Sequence, residues 1–461
     1  MTEKINTEPT PRADRHASRP EARRRSNPAG VDVAAANAAA EPSGSSALAA
    51  EKLAVAREAL EELDLDCWLV FVRETGDGGD PVLPLIFGHD LTWQSAIIVP
   101  RTAERLPGPV AIVGTHDAAL VESTGLFAET VGYIEGIRSD LRAVLDRLAP
   151  RSIAIDHSID DVKADGLTHG MFLLLRRHLE GTPHADLLVS AEELVRIVRG
   201  RKSATELRRI EGAIATTQQM LDEVGRWARP GRSERETWSF MQEQMRRLGV
   251  GPAWSSAGCP IVTTSPRSMG GHGIADASLT IERGCIFHVD VGVRQEGYCS
   301  DLQRSWYVPH DGESEIPEDV RSAFDAVRAA VDAGFAALRA GVEAWCVDAA
   351  ARSTLVAAGW PEYDHATGHE VGRAAHDGGV VLGPRWERYG RTPHRRVEVG
   401  HVVTLELGVD VPGRGYLGIE EMAVVEAAGP RWLSRPQRAI WTLSARPEAS
   451  ESDVAAPSEA P

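Results

Sequence analysis

The sequence predicts an α+β protein in which an α/β domain precedes a larger domain built from two related halves. Residues 47–198 alternate short apolar strands with helical stretches, which is the pattern of an α/β domain. Residues 199–445 repeat a pattern of two helices followed by β-type segments. With 43% hydrophobic and 25% charged residues, the chain has the composition of a folded protein.

The composition of the two ends, the net charge and the cysteine spacing indicate which partners and which cellular compartment to expect. Residues 1–46 and 446–461 are rich in Pro, Ala and Ser, and we predict disordered tails there. The formal net charge of -17 disfavours nucleic acids and anionic membranes as partners. We find no apolar run of the roughly 20 residues that span a bilayer and no hydrophobic leader. Because the five cysteines lack CxxC spacing, we expect a cytoplasmic protein without disulfides.

The first folded region, residues 47–198, contains four apolar stretches that we predict to be strands. The predicted elements are strands at Cys67–Val72, Ser95–Val99, Val110–Val113 and Ile153–Ile155, with a helix at Ser139–Leu148. This region has no glycine-rich phosphate loop and no cluster of catalytic residue types. We therefore expect it to pack against or cover the larger domain.

The larger domain begins with a helix-loop-helix pattern that recurs later in the chain. The first helix ends at Gly231, and the second, which opens with a Ser/Glu capping box, ends at Gly249. The corresponding helices of the second copy end at Gly341 and Gly359, with the same separation. The repeat predicts two related halves packed about a pseudo-twofold axis.

Each half is also predicted to contain a β-hairpin with two opposed acids. A four-residue loop after Val293 would place Asp290 opposite Asp301 in the first hairpin. The glycine-rich turn of the second hairpin would place Glu406 opposite Glu420. Opposed Cβ atoms lie about 4.5 to 5.5 Å apart, so the like charges of such pairs destabilise a sheet. A cation is therefore expected between them.

The residue types at this site restrict the metal. Oxygen-rich sites suit Mn, Mg or Ca, and a histidine ligand admits Mn, Co, Fe or Zn. A slip of one residue in the second hairpin would present Glu421 instead, and we prefer Glu420. Histidines that could bind metal or transfer protons are His272, His365, His369 and His376. The motifs of serine hydrolases, HExxH metalloproteases and P-loop proteins are absent from the sequence.

Five residues in their local contexts resemble the ligand set of the pita-bread metallopeptidases. They are Asp290 in HVDVG, Asp301 in CSDLQRS, His369 in TGHEVG, Glu406 in TLELG and Glu420 in GIEEM. This family includes methionyl aminopeptidase, aminopeptidase P, prolidase and their metal-free relative creatinase. The resemblance covers about residues 200–445 and implies a pita-bread catalytic domain. The preceding α/β region resembles the creatinase-like N-terminal domain of aminopeptidase P and prolidase.

The resemblance implies a dinuclear centre with two divalent metal ions per chain, Mn being expected and Co, Zn or Fe being alternatives. Asp290 would chelate one metal, and Asp301 and Glu420 would bridge both. His369 and Glu406 would complete the second metal's ligands. A homodimer is also implied.

The resemblance further assigns the catalytic and substrate-binding groups. Glu406 would accept the proton of the attacking water. His272 and His376 would polarise the substrate carbonyl and stabilise the leaving nitrogen. His365 would line the leaving-group side of the site.

These implications predict a dinuclear metal-dependent hydrolase of short peptides, of the Xaa-Pro aminopeptidase or dipeptidase type. Proline-specific members often carry Arg where this chain has Gly418. Hydrolysis of a small amide or another non-peptide C–N bond, as by creatinase or a compatible-solute hydrolase, is therefore a second hypothesis. A catalytically inactive binding protein is a third, although all five ligand positions are occupied.

Overall fold

The computed structural model describes residues 42–268 and 273–443. The α-helices there are α1 Pro42–Glu62, α2 Leu83–Ile86, α3 Thr115–Ser123, α4 Arg138–Leu148, α5 His169–Leu179, α6 Glu192–Gly200, α7 Ala204–Trp227, α8 Glu234–Leu248, α9 Glu318–Ala337 and α10 Ala344–Ala357. Short 3₁₀ helices span Thr75–Asp77, Val162–Ala164, Pro183–Asp186, Glu387–Tyr389 and Thr392–His394. Across the described ranges, no helix has the length and apolar character needed to cross a membrane.

The strands follow the same chain order. They are β1 Cys67–Val72, β2 Ser95–Pro100, β3 Val110–Gly114, β4 Glu129–Tyr133, β5 Ile153–Ile155, β6 Leu188–Ser190, β7 Gly251–Pro252, β8 Ile261–Thr263, β9 Ile286–Val291, β10 Val293–Gln295, β11 Tyr298–Cys299, β12 Leu302–Tyr307, β13 Gly368–His369, β14 Val381–Leu382, β15 Val402–Val411, β16 Gly415–Glu426, β17 Gly429–Trp432 and β18 Trp441–Thr442. The predicted tails lie outside the described residues, except that α1 already begins at Pro42.

The first folded region forms a six-stranded mixed sheet with the order β4-β3-β2-β1-β5-β6. Its central strand β1 pairs antiparallel with β2 and parallel with β5. All residues of β1, β2 and β3 are buried, which explains why these strands are apolar throughout rather than alternating. The predicted bounds of β1 and β5 are confirmed, and those of β2, β3 and α4 differ by one residue.

The two helix pairs of the larger domain are confirmed as α7 with α8 and α9 with α10. Gly231 and Gly341, which follow the first helix of each pair, have φ of 91° and 89°. This left-handed region favours glycine because it has no Cβ. The capping box at the start of α8 is present between Ser233 and Glu236. The equivalent glycines thus follow equivalent helices in the two halves.

The predicted register of the first hairpin is wrong by two residues. Asp290 pairs with Gln303, not with Asp301. The cause is the turn, because Glu296 and Gly297 both have positive φ and form a tight two-residue connection instead of the four-residue loop. A shift of two residues leaves each side chain on its original face. Asp301 therefore remains on the face of Asp290, as a diagonal neighbour.

The predicted register of the second hairpin is confirmed. Glu406 pairs with Glu420 along the β15–β16 ladder. The alternative acid, Glu421, points into a different set of contacts and receives hydrogen bonds from Arg304, Ser434 and the backbone of Gln437. Glu421 thus has its own buried partners and is not needed at the acid pair.

Candidate metal centre

Five elements bring the predicted ligands together. Asp290 lies on β9, Asp301 directly before β12, His369 on β13, Glu406 on β15 and Glu420 on β16. Asp301, His369 and Glu420 each offer one ligand atom, and these three atoms lie within 4.8 Å of one another. The remaining two acids touch this group, since Asp290 hydrogen-bonds to Asp301 and Glu406 lies beside His369. Carboxylate and imidazole groups of this kind are ligand types that divalent metals accept.

The distances at His369 show how tightly the group is arranged. His369 Nε2 lies 3.5 Å from Glu406 Oε1 and 3.9 Å from Asp301 Oδ2. The backbone N–H of His369 donates to Thr404 Oγ1 at 3.1 Å, which ties β13 to β15. A Cβ on Gly368 would lie 2.1 Å from Thr404 O. Glycine before His369 is therefore required for the approach that places the imidazole among the acids.

Burial and mutual repulsion change the acidity of the carboxyl groups. Burial, followed by repulsion from neighbouring carboxylates, raises the pKa of Asp290, Asp301 and Glu420 well above the usual range. Burial raises the pKa of Glu406 to about 7, although the hydrogen bond from Gln303 opposes the shift. The group therefore favours the protonated form unless a cation compensates its charge.

The two histidines of the loop after β13 are in contact. The ring centroids of His369 and His376 lie 4.0 Å apart with an interplanar angle of 37°. Burial, and secondly the proximity of His376, lowers the pKa of His369 to about 3. A neutral imidazole with a free lone pair is the form that binds a metal. His376 itself is exposed.

The other two predicted histidines have different outcomes. His272 lies outside the described residues. His365 is 60% exposed, and its ring packs edge-on against Tyr363 at 5.7 Å. Tyr363 in turn hydrogen-bonds to Tyr416, beside the acids. His365 is thus connected to the cluster through two tyrosines rather than by direct contact.

Sequence reasoning missed Gln303, Tyr416 and the part played by His288. Gln303 Nε2 donates to Glu406 Oε2 at 3.0 Å, while its Oε1 lies 3.0 Å from His288 Nε2. The ring of Tyr416 packs edge-on against His288 at 5.0 Å. Two-residue periodicity could have found both new residues, since Gln303 follows Asp301 by two positions and Tyr416 precedes Glu420 by four.

Two buried carboxylate oxygens of the cluster have no hydrogen-bond donor in the part of the chain that the structure describes, and a metal ion would compensate for this. Asp290 Oδ1 and Glu420 Oε1 are buried and have no hydrogen-bond partner among the described residues. Buried carboxylate oxygens without a donor are unfavourable, and a hard divalent cation satisfies them. Four carboxylates with one imidazole match the ligand preferences of Mn, Co, Fe and Zn.

The pKa of Glu406 leads to a prediction about the metal-free protein. A folded-state pKa raised from 4.5 to about 7 gives stability that is fully present below pH 4.5 and lost as the pH rises through 7. We expect the metal-free protein to unfold at a lower temperature at about pH 8 than at about pH 5, because ionised acids then repel one another. Bound metal should remove most of this difference.

Thermal unfolding with excess chelator or with Mn²⁺, each at both pH values, measures the effect. An equal pH dependence with and without metal would contradict the assignment of Glu406 to the metal cluster.

The amino-acid sequence is similar to those of known metallopeptidases. The sequence profile of metallopeptidase family M24 matches residues 208–427. The chain is 30% identical over 257 residues to the uncharacterized peptidase YqhT of Bacillus subtilis, covering 56% of this chain and 68% of that protein. It is 28% identical over 253 residues to an Xaa-Pro dipeptidase of Pyrococcus horikoshii, covering 54% and 66%.

A solved structure shows the same fold over most of the chain. The Xaa-Pro dipeptidase from Bacillus anthracis superposes with a TM-score of 0.66 at 22% identity, covering 86% of this chain and 100% of that one. The fold is therefore the predicted one, a pita-bread domain preceded by a smaller domain. This chain belongs to metallopeptidase family M24, which confirms the predicted class of enzyme. The chain spans about two thirds of the length of the curated relatives it matches, so they leave its substrate open.

Proposed function

We propose that this protein is a dinuclear metal-dependent hydrolase of short peptides, of the Xaa-Pro aminopeptidase or dipeptidase type. The observation that carries the proposal is the close group of Asp301, His369 and Glu420, whose ligand atoms lie within 4.8 Å of one another, with Glu406 and Asp290 beside it. The relative from Pyrococcus horikoshii is named an Xaa-Pro dipeptidase, which supports the substrate class. An inactive binding protein is disfavoured because all five ligand positions are retained.

The proposed ligands divide between two metal ions, with Mn expected and Co, Zn or Fe as alternatives. Asp290 would hold one ion, and His369 and Glu406 the other. Asp301 and Glu420 would contribute to both. When bound, such ions act as Lewis acids and lower the pKa of water into the neutral range. We also propose that the protein is a cytoplasmic homodimer.

Residues of the chain would handle the protons of the reaction. Glu406 is suited to accept one, because its pKa of about 7 lies near the pH at which a general base is most effective. Gln303 donates to Glu406 Oε2 and so orients the carboxyl group. His376, exposed beside His369, would donate to the substrate carbonyl oxygen or the leaving nitrogen. His272 would share this task.

The side chains packed around Gly418, two residues before Glu420, affect which substrate the site can accept. A Cβ on Gly418 would lie 2.5 Å from Gln303 Oε1 and 2.7 Å from Tyr416 Cε1. Tyr416 thus occupies the space that a side chain at 418 would need. Nearby arginines are engaged elsewhere: Arg373, Arg385 and Arg388 stack on aromatic rings, Arg391 and Arg395 pair with acids, and Arg396 binds the carbonyl of Gly341.

The surface around Gly418 thus presents the ring of Tyr416 where proline-specific relatives often have an arginine. This surface favours a substrate whose leaving group carries no carboxylate at that position. A longer Xaa-Pro peptide or an amide meets this condition better than a free dipeptide. The same observation supports the second candidate function, which is hydrolysis of a non-peptide C–N bond.

A substrate panel tests both functions on the Mn-loaded protein. It contains an Xaa-Pro dipeptide, its C-terminal amide, an Xaa-Pro tripeptide, a dipeptide without proline and a cyclic amidine. We expect hydrolysis of the Xaa-Pro compounds, with the amide and the tripeptide cleaved at least as fast as the free dipeptide. Cleavage of the cyclic amidine alone would replace the peptidase proposal by the second function. Inactivity of metal-loaded protein on the whole panel would contradict both.

A further inference from the structure

Two buried acids flank the histidines of the metal centre. Glu370 directly follows His369, and Asp377 directly follows His376, with side-chain exposures of 0% and 3%. Glu370 Oε1 accepts a hydrogen bond from the backbone of Val380 at 2.8 Å. The backbone N–H of Asp377 donates to Glu370 O at 2.9 Å. This hydrogen bond joins the two ends of the loop between His369 and His376.

The cations that face these acids are Arg199, in the last turn of α6, and Lys202, in the segment that joins α6 to α7. Lys202 Nζ lies 3.3 Å from Asp377 Oδ2 and 3.8 Å from Glu370 Oε2. Arg199 Nη2 binds the other carboxylate oxygen of Asp377, and Arg199 Nε donates to the backbone oxygen of Asp377 at 3.2 Å. Arg199 also donates to Pro81 O at 2.6 Å, which anchors it in the first domain. Two cations remote in sequence thus bind the acids of the loop that carries His369 and His376.

Three glycines make room for these charged groups. A Cβ on Gly372 would lie 2.2 Å from Asp377 Oδ2, and a Cβ on Gly379 would lie 2.2 Å from Glu370 Oε1. A Cβ on Gly200 would lie 3.2 Å from Glu370 Oε2. The backbone therefore approaches the carboxylates from three sides, and the charged groups have little freedom to move.

The charges in the cluster balance, with two cations against two anions. Balance alone gives little net stability, because desolvation of buried ions offsets most of their attraction and apolar residues often serve as well. Defined directions of hydrogen bonding are what an apolar replacement cannot supply. The arrangement is therefore suited to fixing geometry rather than to stabilising the fold.

We propose that Arg199 and Lys202 are positioning residues, which hold His369 and His376 in place through Glu370 and Asp377. Neither cation touches the metal ligands themselves, so their effect is transmitted through the backbone of the loop. A misplacement of about 1 Å can lower a reaction rate about 100-fold. The turnover readout rests on the proposed peptidase function, whereas the metal-affinity readout does not.

The test compares Arg199→Met and Lys202→Met with a matched control, Arg196→Met. Arg196 lies on the same helix and pairs with Glu193 and, at 2.7 Å, with Glu398 rather than with Glu370 or Asp377. We expect Lys202→Met and Arg199→Met to lower kcat about 10-fold to 100-fold with KM changed less than about threefold. Mn²⁺ affinity should fall about 10-fold in both methionine variants. Arg196→Met should retain wild-type kcat and affinity at a similar loss of unfolding temperature.

Conservative variants complete the test. Lys202→Arg and Arg199→Lys keep the charge and should recover part of the lost kcat and Mn²⁺ affinity. If the methionine variants do not fold, reduced Mn²⁺ affinity in Arg199→Lys supports the proposal, and unchanged affinity overturns it. If wild-type protein cleaves nothing on the panel, the peptidase proposal fails and Mn²⁺ affinity alone decides. Methionine variants that match Arg196→Met in both kcat and affinity overturn the positioning role.

Discussion

Asp301→Ala should abolish measurable hydrolysis and weaken the binding of both metals by more than about 100-fold. Replacing a residue that only hydrogen-bonds to a metal ligand lowers metal affinity about 10-fold to 100-fold, and the loss of a ligand should cost more. Asp301 is the acid that contacts the rest of the cluster, since it hydrogen-bonds to Asp290 and approaches His369. The substitution removes the carboxylate that would be shared by the two proposed metal ions. Metal analysis of dialysed protein, with about two ions per chain expected in the wild type, measures the loss.

Asp410→Ala is the matched control for this variant. Asp410 is an exposed acid on β15, the same strand that carries Glu406, and its replacement removes one negative charge outside the proposed ligand set. The control should keep both metals and full turnover. An Asp301→Ala protein that retained both metals and wild-type activity would refute the proposed site.

His376→Ala should lower turnover about 10²-fold to 10⁴-fold with metal content nearly unchanged. The ring centroid of His376 lies 4.0 Å from that of His369, and His376 is exposed whereas His369 is largely buried. A proton donor that acts mainly in the transition state affects kcat, whereas a ligand affects metal binding. Turnover and bound metal measured on one sample separate these effects.

His394→Ala provides the comparison for His376. His394 is an exposed histidine further along the same region of the chain, away from the acids, and its loss should leave turnover unchanged. If His376→Ala also kept wild-type turnover, His376 would have only a structural role. If it lost metal instead, His376 would be a ligand.

The identities of the proposed ligands were predictable because the signals that reveal them are local. Asp290, Glu406 and Glu420 each lie in an apolar strand where an acid is unusual, and Asp301 directly precedes such a strand. The glycine before His369 indicates a close backbone approach. The face of each acid follows from two-residue periodicity, which survives a register error of two. This is why Asp301 joins the cluster although its predicted partner across the ladder was wrong.

The register of the first hairpin was not predictable with the same certainty. Both the four-residue loop and the two-residue turn at Glu296-Gly297 keep the acids on one face, so hydrophobic patterning cannot choose between them. The choice depends on turn geometry, and Glu296 adopts a positive φ that non-glycine residues seldom take. Its consequence is that Gln303, not Asp301, stands opposite Asp290 and orients Glu406.

The sequence by itself determined which segments repeat, where helices end and on which face of its strand each acid lies, because these features depend on neighbours within one or two turns. Only the tertiary structure decided how Tyr416 fills the space beside Gly418 and how Arg199 reaches Asp377. The latter contact joins residues 178 positions apart. Periodicity carries no information at that separation, since such contacts arise when whole domains pack and buried charges find partners.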